Sequence, residues 1–167
     1  MYAFNPKITH SDLREQLDYV EDTGLFFWKK AKSKIRVGNQ AGSLHWRGYV
    51  AVYVSGRSYL AHRLAWFYVH GEWPKHGIDH INGNRADNRL SNLRDVTQKE
   101  NMQNRRLPKK NRVEGMLGTH WNPRIKKWHA TLYIDGKNKH LGLFATTEQA
   151  HEVYLQEKRK QHPGCTI

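Results

Sequence analysis

The period of the apolar positions changes several times along the chain, and each change marks an element. Between Thr9 and Val20, residues Leu13, Leu17 and Val20 fall on one side and predict a short amphipathic helix. "GLFFW" (24–28) predicts a strand. "RGYVAVYV" (47–54) alternates and predicts another, closed by turn chemistry at Ser55, Gly56 and Arg57. "SYL" then leads into "AHRLAWFYVHG", where Leu60, Leu64, Ala65 and Tyr68 stand at helical spacing and Gly71 suits the helix end. From 76 to 107 the pattern predicts strand, polar loop, strand and helix. Thr97 and Glu100 form a capping-box pair that starts the helix at Gln98, and Pro108 stops it. "RRLPKKNRVEG" (105–115) is basic, poorly periodic and predicted to be a linker. Beyond it "LGTHW" and "KWHATLYI" read as strands, Asp135-Gly136 as a hairpin turn and "KHLGLF" as a third strand. Thr146 or Thr147 caps a final helix, "TEQAHEVYLQEKRKQ". The expected fold class is α+β.

Composition narrows the partners. The 167 residues suffice for one ordinary domain or two small ones, and 38% apolar content gives each a modest core. Lys and Arg number 28 against 15 Asp and Glu, a net charge of +13 that favours a polyanion. Six Trp and eight Tyr interleaved with the basic residues point to nucleic acid. A membrane surface is not expected, because there is neither a long apolar span nor a strongly amphipathic basic helix. The single cysteine, Cys165, builds no disulfide framework and no cysteine zinc site. With an N-terminus that lacks the apolar core of a signal peptide, this predicts a cytoplasmic protein.

The candidate chemistry lies in "GIDHINGNRADNRLSNLRDV" (77–96), where Asp79-His80 is followed by Asn82, Asn84, Asn88 and Asn92. Hydrolysing a phosphodiester needs a nucleophilic water and a cation that stabilises charge on phosphorus and the leaving oxygen. Histidine accepts a proton near neutrality, and a carboxylate holds a hard divalent cation. Neighbours on a strand point to opposite faces, so Asp79 and His80 serve one phosphate only where the strand ends or bends, and Gly83 lies just beyond. An amide carbonyl would hold the imidazole tautomer. Asn82, Asn84, Asp87 and Asn88 are expected to satisfy the loop backbone through local turns. A lone Asp-His pair is usually an ordinary turn. Here the register continues through Asn92 to Asn101, four residues after Thr97 and one turn into the capped helix. His62, ahead of an apolar helix, reads as a packing or DNA-facing residue rather than a ligand, and Trp73-Pro74 as structural.

The run "DHINGNRADNRLSNLRDVTQKENMQN" (79–104) resembles the HNH endonucleases, especially the phage intron-encoded homing endonucleases. The resemblance implies a ββα-metal core of two strands, a polar loop and a helix around one divalent ion. It implies that Asp79 binds the metal, that His80 is the general base and that Asn92 orients His80. Asn101 stands where the last motif histidine is commoner and would complete the metal site, favouring Mg²⁺ or Mn²⁺ over zinc or nickel. The expected domains are 1–107, a DNA-contacting region plus nuclease core (about 60–107); 108–115, the linker; and 116–162. Arg105, Arg106, Lys109 and Lys110 are expected to lie against phosphates.

The third region, "GTHWNPRIKKWHATLYIDGKNKHLGLFATTEQAHEVY", resembles the APETALA-type (ethylene-response) DNA-binding domain, whose three-stranded sheet enters the major groove with a helix packed behind. Period-two alternation then puts Trp128, Ala130, Leu132 and Ile134 toward the helix, with Ala150, Val153 and Tyr154. His129, Thr131 and Tyr133 would face DNA, with His120, Asn122, Arg124, Lys126, Lys137 and His140 nearby. Several plant Arg and Trp contacts are His, Asn or Tyr here, so base preference does not transfer. The whole chain thus reads as a site-specific nicking DNA endonuclease of the homing type, acting as a monomer on double-stranded DNA with no obligate protein partner. The alternatives are a non-catalytic DNA-binding regulator that keeps the HNH shape and an RNA-binding protein.

Overall fold

Helix α1 (His10–Gln16) is shorter than its apolar spacing predicts. Thr9 and Asp12 cap it reciprocally: the Thr9 hydroxyl accepts from the Asp12 N–H at 3.1 Å, and the Asp12 carboxylate accepts from the Thr9 N–H at 3.2 Å. Leu17–Val20 then leaves the helix as β1 and pairs antiparallel with β2 (Leu25–Trp28). Leu13 and Leu17 fit a helix, but Leu17 and Tyr19 are buried while Asp18 and Val20 are exposed, which is strand alternation. Pairing with β2 decides between two patterns that the sequence supports about equally.

The computed structural model describes residues 7–31, 33–45, 47–103, 115–162 and 165. By internal packing the chain divides into two units, 1–97 and 98–167. That division falls ten residues before the boundary expected at 107.

In the first unit β3 (Gln40–Ala41) extends the first sheet, in the order β1-β2-β3. A second sheet has the order β4 (Ser43–Leu44), β5 (Val50–Val54), β6 (Arg57–Leu60). Ser55 and Gly56, at φ 51° and 76°, make the tight turn between β5 and β6. "SYL" leads into the helix as a strand, with Ser58, Tyr59 and Leu60 pairing with Tyr53, Val52 and Ala51, so Leu60, counted among the helical positions, belongs to β6. Helix α2 (Ala61–His70) follows at once and ends at Gly71 in the left-handed conformation. Leu13, Leu17, Phe26, Val52 and Leu64 lie at the centre of this unit's core. Trp73 stacks on Phe67 at 4.2 Å between ring centroids, the structural role expected of it. Strands β7 (Gly77–His80) and β8 (Leu93–Val96) form a two-stranded antiparallel sheet at the edge of this core, paired from Gly77–Val96 to His80–Leu93.

The second unit holds α3 (Gln98–Gln103), β9 (Thr119–Asn122), β10 (Lys127–Ile134), β11 (Lys137–Phe144) and α4 (Thr147–Gln161). The sheet order is β11-β10-β9, and α4 packs on one face, as the ββ(β)α pattern predicts. Thr146 caps α4 through the Gln149 N–H. Ala130, Leu132, Ala150 and Tyr154 are buried between sheet and helix. A Cβ at Gly118 would overlap the Tyr154 ring, so glycine is needed there. One feature had no local signal: a bulge shifts the β10–β11 register between Ala130 and Thr131. Among the described residues no helix is long and apolar enough to cross a membrane.

Candidate functional site

His80 is the last residue of β7, and the chain turns there, with the Gly83 N–H donating to the His80 carbonyl at 2.9 Å. Asn92 clamps the next two residues. Its carbonyl accepts from the Ile81 N–H at 2.9 Å, and its Oδ1 accepts from the Asn82 N–H at 2.9 Å. Its Nδ2 donates to the Asp87 carbonyl at 2.8 Å. The direct bond from Asn92 to the imidazole, implied by the resemblance, is not among these. The amide beside His80 is that of Asn88, close enough to favour the charged imidazole although short of a well-aligned hydrogen bond.

The rest of the loop satisfies itself locally, as expected. Asn82 Oδ1 accepts from the Asn84 N–H at 2.8 Å, Asn84 Oδ1 from the Ala86 N–H at 3.1 Å, and Asp87 Oδ1 from the Arg89 N–H at 3.3 Å. The N-terminal hairpin braces this loop from below. Tyr19 Oη donates to the Asn88 carbonyl at 2.7 Å, a buried bond, and burial pushes the Tyr19 phenol up to about 12. Gly24, at φ 71°, lies against the backbone of Asn88 and Arg89, where a Cβ would overlap the Arg89 nitrogen. Gly24→Ala is therefore expected to destabilise the first unit by about 2–3 kcal/mol, combining left-handed strain with a backbone clash. Urea unfolding followed by Trp fluorescence checks this.

Asp79 and His80 have different neighbours. Asp79 pairs across the sheet with Arg94, whose Nη2 and Nε donate to Oδ2 at 2.8 and 3.1 Å. His80 meets His62 of α2 with ring centroids 5.0 Å apart and planes at 88°. Tyr49 contacts both rings, 5.2 Å from His62 and 6.0 Å from His80. Arg85 lies over Tyr49 at 5.0 Å and donates to the Arg47 carbonyl at 3.0 Å. Both histidines are buried, and among the described residues neither His62 Nδ1 nor His80 Nε2 has a hydrogen-bond partner.

Burial lowers the His80 pKa, and Arg85 adds to this; Asn88, Asp79 and Asp87 oppose it. The balance leaves a neutral imidazole at neutral pH, the form that accepts a proton. Burial, then the charges of His80 and Arg63, push His62 down to about 3. Hydrogen bonding by Arg89 holds Asp87 down at about 2, so the loop keeps its carboxylate.

Among the described residues no three His, Cys, Asp or Glu side chains cluster to form a metal cage. The donors near the strand end are the half-buried Asp79 carboxylate, one residue before it, and the buried imidazoles of His80 and His62; the carboxylates of Asp87 and Asp95 are taken up by hydrogen bonds from Arg89 and Asn82 and from the backbone of Lys75 and His76. The Asp79 carboxylate fits a hard cation that keeps water and substrate oxygens in its coordination sphere. Arg94 already engages Asp79 Oδ2, so a cation here would share that carboxylate.

Residues 59–103 match the HNH endonuclease family. The match contains His62, Asp79, His80, Asn92 and Asn101. The chain is also similar to Protein 3.8 of Escherichia phage T7, 38% identical over 77 residues. That alignment covers 46% of this chain and 63% of the phage protein, so the chain spans less than two thirds of that relative. No solved structure matches the chain significantly. Within the HNH segment, Asn101 is exposed on α3, which packs with the second unit.

Outside the HNH segment, the second unit brings several predicted residues together on the sheet face opposite α4. His120 and His129 face each other across β9 and β10 with ring centroids 4.6 Å apart, and His140 lies 5.2 Å from His129. The Asn122 amide is 3.2 Å from His129 Nε2. Thr131 and Tyr133 continue that face along β10, with Tyr133 exposed. Arg124 and Lys126 occupy the β9–β10 turn, and Lys137 starts β11. Arg105, Arg106, Lys109 and Lys110 lie outside the described residues.

Sequence reasoning missed Arg94, Tyr49 and the approach of Asn88 to His80; His62 is buried and packs on Tyr49 and His80, the packing side of its expected role. Arg94 had a usable signal, because pairing a four-residue strand after Asn92 with 77–80 places it opposite Asp79. Tyr49 had none, since its contact with His80 joins segments far apart in sequence.

Proposed function

We propose that this protein is a divalent-metal-dependent DNA endonuclease of the HNH type. The observation that supports this best is His80, an uncharged, buried imidazole with Nε2 unpartnered among the described residues, at a strand end inside the segment that matches the HNH family. In this reading His80 takes the proton of the attacking water. Asn92 positions His80 through the backbone, by clamping residues 81 and 82. Asp79 supplies an oxygen ligand to Mg²⁺ or Mn²⁺; Asn101 as a further ligand follows from the family motif alone. The bound cation would stabilise charge on phosphorus and the leaving oxygen.

The duplex is gripped by the second unit through the face carrying His120, Asn122, His129, Thr131, Tyr133 and His140, with Arg124, Lys126 and Lys137 on phosphates, as in an APETALA-type module. The charge of +13 supports a long electrostatic footprint. Replacing Lys126 or Lys137 with alanine is expected to reduce the slope of log affinity against log salt by about 1 each. Fluorescence anisotropy with duplex DNA across a salt series measures it, and an unchanged slope removes that residue from the interface.

One site of this kind addresses one phosphate, so a monomer flanked by dissimilar binding regions gives a strand-specific nick at a long asymmetric target, as a homing enzyme would. The test uses supercoiled plasmids carrying randomised inserts, with Mg²⁺ or Mn²⁺, and then a cleaved member alone. Persistent open circles are expected. Early linear product rising with the square of enzyme concentration would indicate a dimer, and undiminished cutting after exhaustive chelation would exclude the metal. A non-catalytic DNA-binding regulator is the second reading, favoured by the Asp79–Arg94 ion pair, which a purely structural hairpin would also keep. Duplex binding without any cleavage would select it.

A further inference from the structure

We propose that His62 is a positioning residue of the hydrolytic site, holding through its Nδ1 the oxygen that meets His80; this rests on the endonuclease reading above. His62 occupies a core position. It is the second residue of α2, it is 5% exposed, and its helix neighbours Ala61, Leu64 and Ala65 are buried and apolar. Leucine or phenylalanine would fill such a position without a polar atom. Histidine brings a buried nitrogen with no partner among the described residues, which costs stability. Buried polar groups left unpaired by a fold call for an explanation outside packing.

The explanation lies in the neighbour. The ring that carries this nitrogen meets His80 edge-on, and His80 carries the matching feature, a buried Nε2 without a partner among the described residues. Asn88 flanks His80 as a second polar neighbour, and Tyr49 touches both imidazoles. Two adjacent imidazoles each carry a buried nitrogen without a partner among the described residues, and in the proposed site both would serve one class of ligand, a water or a phosphate oxygen. Burial keeps His62 uncharged, so it offers a hydrogen bond without opposing the positive charge that His80 acquires. Helix α2 is anchored in the core, which gives the nitrogen a fixed place.

The test compares His62→Phe, which keeps a ring and removes both nitrogens, with His62→Gln, which restores a hydrogen-bonding group. His62→Phe is expected to unfold at or above the wild-type temperature at pH 7.5, because an unpaired polar group has gone. On the cleaved plasmid its kcat is expected to fall about 10- to 100-fold with KM within about twofold, the scale of a misplaced reacting group. His62→Gln is expected to recover most of that loss. A His62→Phe protein that cuts like wild type would overturn the proposal, as would loss of activity only in step with loss of stability. If the wild-type protein cuts no plasmid, the endonuclease reading fails separately. The ¹⁵N shifts of the His80 imidazole, recorded without DNA at pH 7.5, then decide. A tautomer ratio changed by Phe and restored by Gln supports the pairing, and an unchanged ratio overturns it.

Discussion

Replacing His80 with alanine is expected to slow DNA cleavage by about two to four orders of magnitude, the range for losing a positioned general base. Affinity for duplex DNA should stay within about twofold, because His80 is buried and adds nothing to the cationic surface that sets non-specific binding. The separation of the two effects is the informative part. A regulator that only binds would show no cleavage to lose. A site in which His80 merely packs against His62 and Tyr49 would lose cleavage and stability together. Alanine leaves a cavity beside α2, so His80→Gln is the companion variant. It fills the space and keeps a hydrogen-bonding group but lacks a nitrogen basic enough to take a proton near neutrality. Single-turnover nicking by both variants, with thermal unfolding alongside, reads the difference. A His80→Gln protein that nicks at the wild-type rate would remove His80 from the proton transfer.

The hairpin and its loop were legible because their constraints are local. Asn82, Asn84 and Asp87 each bond a backbone N–H two residues on, and such turns are written in consecutive residues. The C-terminal sheet was legible for a similar reason: "KWHATLYI" alternates without interruption, and Asp135-Gly136 fixes its partner. Leu17–Val20 was not legible, since a four-residue strand after a seven-residue helix keeps one leucine at helical spacing by chance. The surroundings of His80 were the hardest to read. Its neighbours come from the turn between β4 and β5, from the first turn of α2 and from the loop, and the Tyr19–Asn88 bond spans 69 positions. Side chains that meet through tertiary packing leave no periodicity, so a motif gives the reacting residues and says little about what holds them.

Acid should unfold the first unit in two separable stages, and the first stage belongs to His62. In the folded chain burial holds its pKa at about 3, whereas the unfolded chain restores about 6.5. Between those values the unfolded state binds the proton that the folded state refuses. Stability is therefore complete above pH 6.5 and falls as pH drops toward 3, by about 1.4 kcal/mol per pH unit where the difference is one full proton. His80 is shifted in the same direction by its own burial and steepens the slope. Against a total of about 5–15 kcal/mol for a typical domain, the loss between pH 6 and pH 4 is a large fraction. Asp87 acts lower and by the opposite shift. Its folded pKa of about 2 lies below the ordinary 3.8, so its contribution is present above 3.8 and disappears as pH falls through 2. His62→Phe should flatten the profile between pH 6.5 and 4 and leave the drop below pH 4 in place. Urea unfolding at half-unit intervals of pH, with the variant subtracted from the wild type, isolates the His62 contribution from that of the second unit. A variant whose slope between pH 6.5 and 4 equals that of the wild type would mean that His62 is hydrated and titrates normally, and the buried imidazole pair would lose its physical basis.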